Sequence, residues 1–237
     1  MTALAQELTA EADHLAARLG YPVVTVPGAA GVLNPTARAV VTVFGARVNQ
    51  RALVKQVSTV PVRPQLLVLD GVPVDADDLR RGGWEEQPIS VRLTGSVDAV
   101  AGAASNRVRQ VAEADLPVVR TVMDLAFGDD DAEEILPDGV TRVPGLQLLL
   151  AEDDDGAVVG VAGVRLRRNG ALVFGVGVLP HARRAGHGAA LIGACARWVQ
   201  ARGERELHCD AEPSALRFWQ GLGFAERTRW RTFDPVA

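Results

Sequence analysis

One lysine, one tyrosine and two cysteines are what this 237-residue chain has least of, and each shortage closes a route. Cys195 and Cys209 are too few for a disulfide framework and fit a reducing compartment. Cys209 beside His208 lacks metal-ligand spacing and has no further ligands to offer, so no metal site is expected. No apolar run approaches the roughly 20 residues of a membrane-spanning helix. The N-terminus has no basic-then-apolar signal segment. A soluble, cytoplasmic protein without a membrane partner is expected. Basic residues number 25 against 29 acidic ones, for a net charge of −4, which argues against a nucleic-acid partner.

What is there is ordinary globular material, 48% hydrophobic and 23% charged, long enough for one large domain or two small ones. Residues 2–19 read as an amphipathic helix, with Thr2 as cap, Leu4, Leu8, Leu15 and Leu19 on one broad face, and Gly20 closing it. A loop-rich stretch with Pro22, Pro27 and Pro35 comes next. Val40–Phe44, Leu66–Leu69 and Ile89–Leu93 read as short strands. Asp77 is placed to cap a short helical turn that ends at Gly82 and Gly83. Ala99–Ser105 is small and uncharged and reads as a linker, which sets the expected domains at 1–104 and 105–237.

The second half is more regular. Arg107–Val111 alternates as a strand, and Asp115 is placed to cap a helix carrying Leu116, Val119, Val122 and Met123. Gly145–Glu152 and Val158–Leu166 flank a hairpin turn at Asp153–Gly156, and Asn169-Gly170 is a second hairpin signal before Ala171–Val178. A helix over 186–202, a strand over Glu206–Cys209 and a short helix over Pro213–Gln220 complete an α/β domain with a mixed sheet.

The chemistry-bearing stretch is Val176–Ala189, VGVLPHARRAGHGA, where a strand ends and R-R-A-G-H-G leads straight into a helix. Gly186 and Gly188 let backbone N–H groups approach a ligand, and a helix start offers unpaired donors with partial positive charge. Arg183 and Arg184 add charged donors. These features suit a diphosphate. Position 191 is leucine where a Rossmann loop needs its third glycine, and there is no G-K-[ST].

Val178, Pro180, Arg183, Gly186 and Gly188 resemble the acetyl-coenzyme A motif of the GNAT superfamily, V-x-P-x-x-R-x-x-G-x-G/A. Ala215–Phe224 (ALRFWQGLGF) is similar to that family's A-x-x-F-Y-x-x-x-G-F segment, and Val108–Leu116 resembles its opening. The resemblance spans about residues 105–237. It implies a mixed, mostly antiparallel sheet flanked by helices, beside a smaller N-terminal α/β region. It also implies an acyl-CoA-dependent N-acyltransferase using acetyl-CoA and no metal, with the acceptor a small-molecule or peptide amine that attacks directly. Val176, Gly177 and Val178 would pair with the pantetheine arm. Arg183, Arg184, Ala185, Gly186, His187, Gly188 and Ala189 would hold the pyrophosphate, with Trp219 against the cofactor.

Two positions depart from the family. Trp219 stands where the thiolate-protonating tyrosine is usual, and the chain's one tyrosine is Tyr21. Residues 173–176, Val, Phe, Gly and Val, lack the glutamate that many relatives carry there. His208, Asp210 and Glu212 are the candidate catalytic groups, with His181 or a water chain as alternatives. A CoA-binding module with weakened catalysis, acting as sensor or scaffold, is the competing reading. Asp129–Asp131, with Glu133 and Glu134, is a candidate attractor for a cationic amine or else a solvated loop. Residues 1–104 are a degenerate GNAT-like copy, a substrate-selecting cap or a dimerisation element, and a homodimer is left open.

Overall fold

The computed structural model describes residues 3–19, 22–33, 39–102, 107–128, 130 and 132–236. In chain order the first elements are α1 (Ala3–Leu19), β1 (Ala29–Gly31), β2 (Val40–Val43), α2 (Gln50–Val57), β3 (Gln65–Leu69), α3 (Ala76–Arg81), β4 (Trp84–Ser96) and α4 (Val97–Val100). Then come β5 (Val108–Gln110), α5 (Leu116–Phe127), α6 (Ala132–Ile135), β6 (Leu146–Glu152), β7 (Val158–Leu166) and β8 (Ala171–Val178). The chain closes with α7 (His187–Gln200), β9 (Glu206–Ala211), α8 (Leu216–Gly221) and β10 (Ala225–Pro235). None of the helices described is long and apolar enough to cross a membrane.

Two compact units result: Met1–Arg92 with Thr228–Ala237, and Leu93–Arg227. In the first, strands lie in the order β1-β2-β3-β10-β4. β1 pairs antiparallel with β2, β2 parallel with β3, and β3 antiparallel with β10. Alternate residues drive this arrangement, because Val41, Val43, Leu66, Val68 and Phe233 point into one apolar cluster with Leu53 of α2. Trp84 is fully enclosed there and satisfies its indole N–H on the Pro64 carbonyl at 2.9 Å. Asn49 caps α2 by accepting from Ala52 N–H at 3.1 Å. α3 is capped by Asp75, not by the expected Asp77: its Oδ1 accepts from the N–H groups of Asp77 and Asp78 at 2.9 and 3.1 Å. Thr2, Gly20 and Tyr21, and the side chains of Leu4, Leu15 and Leu19, lie outside the described residues.

The second unit carries the chemistry-bearing stretch. Its order is Leu93–Ser96 of β4, then β9-β8-β7-β6-β5. β5, β6, β7 and β8 pair antiparallel in succession, whereas β8 and β9 run parallel around α7. Leu116, Val119, Val122 and Met123 recur at helical spacing, and α5 buries them against Leu148, Leu150 and Val161. α7 buries Leu191, Ile192, Cys195, Ala196 and Val199, so Cys195 is core filler whose thiol burial pushes up to a pKa of about 12.

The stretch read as a linker is partly helical. Val97 and Val100, three residues apart on α4, are both buried, and Arg197 of α7 donates to the Ala101 carbonyl at 3.1 Å. Two valines on one helical face are enough to dock such a turn, and composition alone does not reveal it. Residues 103–106 lie outside the described residues. The division between units falls at Arg92/Leu93, and residues 228–237 rejoin the first unit.

Asp115 does not cap α5. Its carboxylate accepts from the Arg109 guanidinium at 2.7 and 3.0 Å and from Ala112 N–H at 2.8 Å, while Arg109 also donates to Glu152 at 2.8 Å. The guanidinium first, and the N–H second, hold the Asp115 carboxyl below the usual carboxylate range. A lowered folded-state pKa stabilises the protein above the unfolded-chain value, about 3.9, and that gain disappears as pH falls through the folded value. Asp115→Asn is expected to lower stability at pH 7 by about 1 kcal/mol, the modest figure reflecting a half-exposed Arg109. Urea unfolding should show the gap closing below about pH 4.

Candidate active site

β8 changes partners halfway along. Its parallel pairing with β9 covers Ala171–Val173 and ends at Val173↔Cys209. On its other side the ladder with β7 jumps from Phe174↔Gly163 to Gly177↔Val161, leaving Gly175 and Val176 opposite Ala162 alone. That is a bulge, and Gly175 takes it at φ +56, in the left-handed region that favours glycine. A Cβ on Gly177 would stand 2.8 Å from the Cβ of Ala126, so α5 lies directly against this part of the strand. From Phe174 to Val178 the edge toward β9 has no ladder partner among the described residues. An extended ligand could add there as a strand does.

After Val178 the chain makes a single helical turn at Pro180–Ala182 and enters α7 through two left-handed residues, Arg184 at φ 69 and Gly186 at φ 90. Among the described residues, the backbone N–H groups from Arg184 through Ala189 have no protein acceptor, and the first bond at the head of α7 is Ala190 N–H to the Gly186 carbonyl. Among the described residues no side chain caps its N-terminus. Unpaired donors at the start of a 14-residue helix are the kind of arrangement that suits an anion. A Cβ on Gly188 would stand 3.2 Å from the Phe218 ring, so that glycine makes room for α8.

The expected site residues fall into distinct places. Val176, Gly177 and Val178 lie along the unpartnered edge, and Arg184, Ala185, Gly186, His187, Gly188 and Ala189 form the turn. The Arg183 guanidinium is bound to protein: Nε donates to the Val178 carbonyl and Nη2 to the Ala126 carbonyl, both at 3.0 Å. Trp219 is only 5% exposed and stands edge-on to Phe218 and Phe224, with ring centroids 5.3 and 4.9 Å away. It is a core side chain. Phe218, the phenylalanine of the second motif and not one of the expected cofactor contacts, is 39% exposed and lies over Gly188. Adjacent aromatics on a short helix point to different sides, and only the position of Gly188 tells which one faces the turn.

His208 sits on the paired section of β9, opposite Leu172 and roughly 12 Å short of Val176 at the usual strand rise. It is 4% exposed, with Nδ1 3.1 Å from Thr94 Oγ1 and Nε2 3.1 Å from the Asn169 carbonyl. Buried and satisfied, it is a structural histidine and not the expected base. Asp210 and Glu212 are exposed and lie past the last β8–β9 pair, where the strands part. Ser214 donates to Glu212 at 3.3 Å. Of the acidic run, Asp130 is exposed and Glu133 stands 4.0 Å from Arg120. Asp129, Asp131 and the Glu134 side chain lie outside the described residues. Among the described residues no group of three or more His, Cys, Asp or Glu could hold a metal ion.

A model of the acetyltransferase (GNAT) family matches residues 113–224. No curated protein matches the sequence. Among solved structures, a GCN5-related N-acetyltransferase from Kribbella flavida is similar over 96% of this chain and 96% of its own, at 17% identity and a TM-score of 0.64. A GNAT-family protein from Novosphingobium aromaticivorans is similar over the whole of both chains, at 19% identity and a TM-score of 0.65. A conserved protein of unknown function from Staphylococcus epidermidis covers 92% of this chain and 95% of its own, at 14% identity and a TM-score of 0.64. These three share the fold, a mixed and mostly antiparallel sheet with flanking helices, and the likeness includes the N-terminal residues that the family model leaves unmatched.

The two aromatics of α8 should separate in a denaturation experiment. Trp219→Ala is expected to cost about 3 kcal/mol as a core truncation. Phe218→Ala, at an exposed ring, should cost under about 1 kcal/mol. Urea midpoints measure both.

Proposed function

Since residues 113–224 form a domain of the acetyltransferase (GNAT) family, we propose that this protein transfers an acetyl group from acetyl-CoA to the amine of a small molecule or peptide. The observation that carries the reading is the run of unpaired N–H groups from Arg184 through Ala189 at the head of α7. A pyrophosphate fits it by charge and by donor count. Arg184, exposed at the mouth, adds a cation. The pantetheine arm lies along the unpartnered edge of β8 at Val176, Gly177 and Val178, which brings the thioester to the gap where β8 and β9 part.

In that gap the neutral amine nitrogen attacks the thioester carbonyl carbon and forms the C–N bond. A backbone N–H of the bulged strand steadies the developing oxyanion. The C–S bond then breaks, CoA leaves as thiolate, and the amine proton passes to Asp210, Glu212 or water. Trp219 cannot supply a proton to the thiolate, because indole donates a hydrogen bond without ionising. The thiolate leaves unprotonated and takes its proton from solvent. General acid catalysis contributes only about 10²–10⁴ where it operates, so its loss slows the reaction without abolishing it. The buried Trp219 also favours a second reading, a CoA-binding module with weakened catalysis that serves as sensor or scaffold.

Residues 1–104 read as a degenerate copy of the same path. β1 pairs antiparallel with β2, α2 comes next, β3 runs parallel to β2, and the short α3 precedes β4, just as β7, β8, α7, β9, α8 and β10 succeed one another. The copy lacks an anion site, because Asn49 fills the head of α2 with its own side chain.

Calorimetry with CoA is expected to give one site per chain, and a CoA concentration a hundredfold above Kd should add about 2.7 kcal/mol to stability. Two sites per chain would refute the degenerate-copy reading. Free thiol should appear when acetyl-CoA and a panel of amines are supplied. CoA binding with no thiol from any amine would favour the binding-module reading.

A further inference from the structure

We propose that Arg183 is a positioning residue, a staple that holds the cofactor turn to the ends of β8 and α5, and not a ligand of the pyrophosphate. The proposal rests on the acetyl-CoA reading only for where the pyrophosphate lies. Val178 is the last residue of β8, and Ala126 belongs to the final turn of α5, where carbonyls have no partner within the helix. One guanidinium satisfies both carbonyls, Nε on Val178 and Nη2 on Ala126, each at 3.0 Å. A cation at a helix C-terminus is favourable on electrostatic grounds as well. Nε and Nη2 together make the side-on edge by which arginine grips an anion bidentately, and here that edge is turned onto backbone carbonyls.

The staple stands next to a strained residue. Arg184 holds φ at 69, a left-handed conformation that costs a non-glycine residue on the order of 1–2 kcal/mol. Such a conformation persists only when its surroundings over-determine it. Arg183, the residue immediately before it, is fixed at three points: its own N–H on the Pro180 carbonyl at 3.4 Å, and the two guanidinium bonds. Ala126 also faces Gly177, so the same staple sets the spacing between α5 and the strand edge assigned to the pantetheine arm. Loss of Arg183 therefore misplaces the thioester as well as the phosphate-binding amides.

Acetylpantetheine, which has the thioester and the arm but no phosphate, separates the two roles. Arg183→Gln is expected to lower kcat/KM about tenfold or more with both acetyl-CoA and acetylpantetheine, as the loss of a charged bidentate contact implies. Arg183→Lys should not rescue it, because one ammonium cannot span both carbonyls. Arg184→Gln should raise KM for acetyl-CoA by a larger factor than KM for acetylpantetheine. A loss for Arg183→Gln confined to acetyl-CoA would overturn the staple. In the wild-type protein, which needs no variant to fold, NMR should find the Arg183 Nε–H protected from exchange before CoA is added and unshifted after it. A rapidly exchanging Nε–H, or one that moves with CoA, would also overturn the proposal. Failure of the wild type to bind CoA would sink the acetyl-transfer reading while leaving the protected Nε–H intact.

Discussion

The peptide N–H groups from Arg184 through Ala189 have no acceptor within the described protein, and the layout of the second unit keeps them so. A helix start is ordinarily closed by a serine, threonine, aspartate or asparagine side chain, as Asn49 closes α2 and Asp75 closes α3. α7 is headed by Gly186, which has no side chain to place on the helix's own amides. Leaving donors unpaired is tolerable because the turn is exposed to water, which substitutes until an anion arrives. In the proposed function that anion is the pyrophosphate of acetyl-CoA.

The second constraint is the bulge at Gly175 and Val176. Parallel pairing between β8 and β9 ends at Val173, and the bulge turns the rest of β8 away, so that one strand serves two purposes. Its first half is held in the sheet on both sides. Its second half keeps only β7, and its other edge is available to a ligand. On the α5 side Gly177 packs closely against the Ala126 side chain, so that half has a neighbour on its face where its edge has none among the described residues. Arg183 then ties the end of this strand to the helix above and to the turn below. Anion site, edge and helix are thereby linked through one side chain.

Much of this was legible in the sequence, and what was not has physical causes. β6, β7, β8 and α7 were readable because period-2 and period-3.6 patterns are strong there and the turns carry Asp-Gly or Asn-Gly punctuation. β10 was missed because Ala225–Pro235 is charged on its open side and shows only Trp230, Thr232 and Phe233 as buried residues. β1 was hidden in a glycine-rich stretch of three small residues. Within the site, the turn was recognisable from its glycines, but the sequence could not say that Arg183 points back at carbonyls, that Trp219 faces inward, or that His208 is satisfied by Thr94 and Asn169. Each of those depends on which side of an element faces a distant partner, and no local pattern encodes that.

A backbone-amide NMR titration with 3′-phosphoadenosine 5′-diphosphate, the nucleotide end of CoA without its arm, bears most directly on the central claim. The claim predicts saturable shifts concentrated at Arg184 through Ala189, with Val176 and Val178 little changed. Shifts centred elsewhere, or none at concentrations where whole CoA binds, would contradict it.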